Sequence, residues 1–198
     1  MKAYSKTLIV TLALLTMLFA GCGGKIKYPA YYDLHVARPT DTPPKADHLP
    51  SIAVREFRAP AYLRQGPIVY RKSSEELGYY EYHRWAVDPR AAITNAVVER
   101  LRASGHFAAV TVYDGRAIAD YILSGQLESL DELDYDGGVQ VEVAVSAQVI
   151  ALQSGKTVWT NSASDKATVD RRNVPAIVST MSKATDRAIE SLLRTLPL

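Results

Sequence analysis

"VQVEVAVSAQV", residues 139–149, alternates with a period of two. Val139, Val141, Val143, Val145, Ala147 and Val149 fall on one side, and Gln140, Glu142, Ser146 and Gln148 on the other. Successive side chains of an extended chain point to opposite faces of a sheet, so the pattern predicts a half-buried antiparallel strand whose apolar face needs a covering layer. Gln153-Ser154-Gly155-Lys156 then turns the chain into TVWTNSASD, 157–165, the expected hairpin partner.

Two helices can supply the cover. Asp88 suits an N-cap, Pro89 the first helical position and Gly105 a C-terminal stop, while Ile93, Val97 and Leu101 recur at i, i+4 and i+8. This predicts a helix over 89–104. A second, from about 174 to 195, is opened by Asn173 and Pro175, with Ile177, Met181, Ala184, Ala188 and Leu192 as its apolar stripe. Further strands are expected at 28–36, 51–58, 79–87, 107–113 and 120–130, with two short extended pieces inside 59–71 and a turn at 72–78. The four prolines of 37–50 make that segment a loop. The expected fold is α+β: a two-layer domain, mostly antiparallel sheet with two main helices packed on one face.

The N-terminus reads as an address. Lys2 and Lys6 precede an apolar run over 7–19, too short for a spanning helix and closed by Ala20 and Gly21, as in a secretory signal. Phe19-Ala20-Gly21-Cys22 resembles the lipobox of bacterial lipoproteins, with Phe19 where Leu is usual. Cys22 is the chain's single cysteine, so it has no internal disulfide partner and cannot complete a zinc site. The expected division is a signal peptide over 1–21, a lipidated anchor and tether over 22–27, and one domain over 28–198. Several acyl chains on Cys22 would hold the protein on a membrane. Gly23 in place of an inner-membrane retention Asp points to the outer membrane, facing the periplasm.

Cleavage removes Lys2 and Lys6, leaving 21 basic against 21 acidic side chains. That balance does not suit a nucleic-acid partner. His35, His48, His83 and His106 fall in different elements with no i, i+4 pair, so no metal is expected. Gly155-Lys156-Thr157 imitates the end of a phosphate loop but lacks its first glycine. In ESLDELDYDGG, 128–138, a calcium-loop register would put Val143 at the position of the bidentate Glu, so the stretch reads as a solvated hairpin tip. No serine stands in a nucleophile motif. An enzyme is therefore not expected, nor a cofactor.

Binding remains. APAYLRQGPIVYR (59–71) and YEYHRWAVDP (80–89) interleave aromatic and arginine side chains, the types that anchor protein interfaces. Tyr62, Leu63, Arg64, Tyr70, Arg71 and Trp85 are the candidate partner contacts. The order YYDL, LPSIAVREFRAPAYLRQGPIVYR, YEYHRWAVDP, LRASGHF, ADYILSGQLESL and SGKTVWT resembles the ABC-type transport auxiliary lipoproteins, including the paraquat-inducible lipoprotein C type. The resemblance implies a non-enzymatic lipoprotein that works with a mammalian-cell-entry (MCE) domain protein, a permease and an ATPase in moving phospholipid or other hydrophobic molecules. It places the lipoprotein at the outer-membrane end, docking the MCE protein. A homo-oligomer stays open. So does an envelope assembly lipoprotein, of the kind related to the curli-secretion pore or to activators of peptidoglycan synthases.

Overall fold

In chain order the strands are β1 (Ala30–Tyr32), β2 (Ser51–Val54), β3 (Pro67–Arg71), β4 (Leu77–Trp85), β5 (Ala109–Val112), β6 (Tyr121–Tyr135), β7 (Gly138–Ala151) and β8 (Lys156–Thr168). The helices are α1 (Pro89–Ser104) and α2 (Val174–Leu193). This computed structural model describes residues 27–40, 49–116, 118–135 and 137–197. The expected leader, Cys22, tether residues 23–26 and loop residues 41–48 lie outside the described residues.

The alternating stretch is β7. Its odd positions from Val139 to Val149 are all buried, as the period of two requires. β7 pairs antiparallel with β6 along nearly its whole length and with β8 on its other side, which gives a three-stranded meander. The outer side of β6 is shared. Near its start Ile122 and Leu123 pair with Ala53 and Val54 of β2, and near its end Glu132 and Leu133 pair with Tyr70 and Arg71 of β3, both parallel. β5 extends the sheet from β2, and β4 then β1 extend it from β3. The long ladders are antiparallel and the short ones parallel, so the α+β expectation holds with a mixed periphery.

Both helices cover the apolar face. α2 packs on β7 and β8, and α1 on β2 and β5 beside α2. Ile93, Val97 and Leu101 of α1 and Ile177, Met181, Ala184, Ala188 and Leu192 of α2 are all at most 2% exposed. α1 has the predicted ends: the Asp88 carboxylate accepts from the Arg90 N–H at 2.9 Å, and Gly105 closes the helix at φ 67°. Thr94 ties helix to sheet, donating to the Arg90 carbonyl and accepting from the Phe57 N–H at 2.9 Å.

Three expectations are corrected. Of the predicted strand 28–36 only Ala30–Tyr32 is strand, because β4, its partner, ends at Trp85. Beyond Tyr32 the inward alternation persists without a ladder: Leu34 enters the core, and the His35 N–H donates to Ser182 Oγ on α2 at 3.2 Å. Within 59–71 one of the two expected extended pieces is a 3₁₀ turn, Ala61–Arg64. Only the far end of the acidic stretch 128–138, at Gly137, is a solvated tip. β6 runs through it to Tyr135, because β7 offers a partner at each position from Ser129 to Tyr135, and Asp131 and Glu132 are buried.

Candidate partner-binding surface

The Tyr/Arg candidates lie on the 3₁₀ turn, β3 and β4, which form one flank of β6. Packing divides them. Leu63 is 3% exposed and Trp85 6% exposed, both inside the core, so a partner cannot touch them without opening the fold. For these two the expectation of partner contact is corrected. In each case the apolar bulk that suggested an interface anchor fills the interior instead.

Tyr70 and Arg71 are neighbours on one strand and therefore point to opposite faces. Arg71 meets Asp131: its Nε donates to Oδ2 at 2.6 Å, its Nη1 donates to the Ser74 carbonyl at 3.3 Å, and its guanidinium lies 5.4 Å from the Tyr62 ring centre. The Tyr62 hydroxyl donates to the same Oδ2 at 3.3 Å. Oδ1 of Asp131 is buried with no partner among the described residues. Burial pushes the Asp131 carboxyl up, against the opposing pull of Arg71 and Tyr62, while the Asp131 hydrogen bond pushes the Arg71 guanidinium up. Burial also raises the Tyr62 phenol.

On the other face Tyr70 meets Tyr80 edge-on, with ring centres 5.1 Å apart. Tyr80 in turn packs edge-on against His83 at 5.6 Å and donates its hydroxyl to Glu132 Oε2 at 2.7 Å. The Tyr32 hydroxyl and His83 Nδ1 are 2.9 Å apart, which carries the row onto β1. Gly78 makes room for it: a Cβ there would lie 2.5 Å from the Tyr70 ring. Burial raises both the Tyr80 phenol and the Glu132 carboxyl.

Arg64 is exposed at the end of the 3₁₀ turn, and Tyr62 is half-buried beside it. These two, with Arg71 between ring and carboxylate, are the candidates whose polar groups a partner can reach. The exposed aromatics that sequence reasoning left out are Tyr28 and Tyr31, 79% and 63% exposed, near the N-terminal end of the described residues. There Lys27 Nζ lies 5.5 Å from the Tyr82 ring centre. Asp131 and Glu132 were missed as well. The available signal was their place between Leu130 and Leu133, but which donors meet them depends on the register of β3 against β6.

The arrangement offers ring faces, phenol hydroxyls and one guanidinium held by a buried carboxylate, which is the chemistry of recognition. Among the described residues no three His, Cys, Asp or Glu side chains group to hold a metal, and no helix is long and apolar enough to cross a membrane.

Residues 32–192 match the model of a family described as ABC-type transport auxiliary lipoprotein component. Among solved structures, the chain is similar to protein XCC0632 from Xanthomonas campestris, at 18% identity and a TM-score of 0.66, with 83% of this chain and 92% of that chain covered. An uncharacterized protein follows at 15% identity and a TM-score of 0.64, with 86% and 100% covered. The hypothetical protein CT253 from Chlamydia trachomatis has 8% identity and a TM-score of 0.50, with 74% and 94% covered. At these identities the likeness is one of fold. No curated protein matches the chain.

Proposed function

This chain belongs to the family of ABC-type transport auxiliary lipoprotein components, and from that premise we propose that it docks an MCE-domain protein of an ABC transporter at the outer membrane. The family match over 32–192 is the observation that carries this reading, since it spans nearly all of the proposed mature domain. In this account the signal over 1–21 is removed and acylated Cys22 holds the chain in the outer membrane, facing the periplasm. Residues 23–27 then tether the body within about 18 Å of the bilayer at 3.3–3.6 Å per residue. The protein's role is binding rather than catalysis, and the transported material is phospholipid or another hydrophobic molecule. Tyr62, Arg64 and the Arg71 guanidinium are the contacts we assign to the partner, with Tyr70 at the border of the same flank.

The test is a crosslinked pull-down from membranes with the lipidated full chain as bait and partners identified by mass spectrometry. Recovery of an MCE-domain protein is expected. Recovery of only a secretion pore or a cell-wall synthase would replace the docking role with that of an envelope assembly lipoprotein.

A further inference from the structure

The face of the sheet turned away from the helices is polar where the opposite face is apolar. Ser124, Gln126, Ser146, Gln148 and Thr160, which alternate with core residues such as Leu123 and Val149, line a shallow dish of about 220 Å³ there. Arg58 completes the lining and is joined to it by a bridge to Gln126. Small-molecule sites start at about 300 Å³, so a dish of this size suits one side chain rather than a free ligand. Its hydroxyl and amide donors, together with a guanidinium, are the set that holds a carboxylate.

Two more guanidiniums continue this surface. Tyr62 reaches Asp131, which pairs with Glu142 on the same side of β7 as Ser146 and Gln148, so the 3₁₀ turn and its exposed Arg64 stand on this face too. Arg84 points away from its core neighbour Trp85 and pairs with the exposed Tyr31. Its Nη1 comes to 3.5 Å from where a Cβ on Gly66 would lie, just past the turn. Arg58, Arg64 and Arg84 make no side-chain hydrogen bond or ion pair among the described residues. Carboxylates nearby already have partners: Asp131 has Arg71, Asp88 has Arg90, and Glu128 accepts from Gln126 and Ser146. Arg58 lies against β6 and Arg84 on β4, two strands away, so the three cations do not converge on one phosphate. Guanidiniums spaced along a surface match carboxylates spaced along a chain, and each fork can grip one of them.

We propose that this face binds an acidic polypeptide segment, with one carboxylate in the Arg58 dish and a second at Arg64 and Arg84. The inference rests on the docking role and names the chemistry that the partner presents to the Tyr62 flank.

The test uses the anchored full chain in phosphatidylcholine vesicles and a fluorescent peptide of alternating glutamate and threonine. Binding is read by anisotropy, beside the same peptide with glutamine in place of glutamate. The glutamate peptide is expected to bind about tenfold more tightly, and Arg58→Gln and Arg84→Gln each to weaken it about tenfold at unchanged melting temperature. Arg171→Gln removes an exposed charge from the loop before α2 and is expected to leave binding unchanged. Equal binding of the two peptides, or an equal loss on Arg171→Gln, would overturn the proposal. So would phosphatidylglycerol vesicles that displace the peptide from the native chain through Arg58, since the face would then belong to an anionic membrane. Should Arg84→Gln melt early, Arg64→Gln is read in its place. Capture of an MCE-domain protein is scored separately. Capture that these variants leave intact ends the acidic-segment proposal and keeps the docking role, whereas arginine-dependent peptide binding without capture does the reverse.

Discussion

A buried carboxylate persists in a protein when donors answer its charge, and Asp131, fully buried, has two in Arg71 and Tyr62. Arg71→Ala leaves the carboxylate uncompensated and is expected to cost about 3 kcal/mol, measured by denaturant unfolding. Asp131→Asn behaves differently because burial holds the folded carboxyl above its ordinary value. The folded state then binds the proton more tightly than the unfolded chain. The associated stability is complete below the unfolded value, about 3.9, and is lost as pH rises through the folded value. Asn mimics the protonated form, so the melting temperature of Asp131→Asn relative to the native chain should rise as the pH is raised above about 4. A flat or falling difference would mean that the Arg71 pairing outweighs burial. Steric rather than electrostatic constraint governs Gly125, where a Cβ would lie 2.3 Å from the buried Phe57 ring. Gly125→Ala is expected to cost about 2 kcal/mol, and adding Phe57→Leu should recover part of it in a double-mutant cycle.

Elements here owe their ends to a few polar groups and their positions to apolar faces. α2 begins where the Asn173 side chain accepts from the Ala176 N–H at 2.9 Å, and Asn173→Ala should lower stability by about 1 kcal/mol without changing partner capture. Its far end is fastened to the sheet: Asn161 donates to the Leu192 carbonyl at 2.8 Å and the Trp159 indole to the Thr195 carbonyl at 3.1 Å. α1, with Asp88, Pro89 and Gly105 at its ends and Ile93, Val97 and Leu101 on its buried face, was legible residue by residue, because capping and a period near 3.6 are local signals. β6 was not. Its predicted end at residue 130 falls short of Tyr135, since acidic side chains have low strand preference and only pairing with β7 on one side and β3 on the other carries the strand onward.

At the scale of the molecule, the flank of β6 that carries Tyr62 and Arg64 is separable from the core beneath it. Tyr62→Ala with Arg64→Ala should weaken partner capture while the domain stays folded, judged by pull-down beside circular dichroism; full capture by the folded double variant would remove this flank from the docking role. Trp85→Ala provides the contrast. It should cost about 3–5 kcal/mol by opening a core cavity, and any lost capture should follow the loss of fold. The sequence by itself determined the two-layer plan, because the alternation of 139–149 and the stripes of the two helices each define an apolar face that must be covered. It also supplies the apolar run and small residues before Cys22 on which the proposed acyl anchor rests. Only the tertiary structure decided which interface-type side chains are interior, which of Tyr70 and Arg71 faces which way, and that Asp131 and Glu132 are buried. Those outcomes depend on strands far apart in the chain meeting in one particular register, and a shift of one residue would send each side chain to the opposite face.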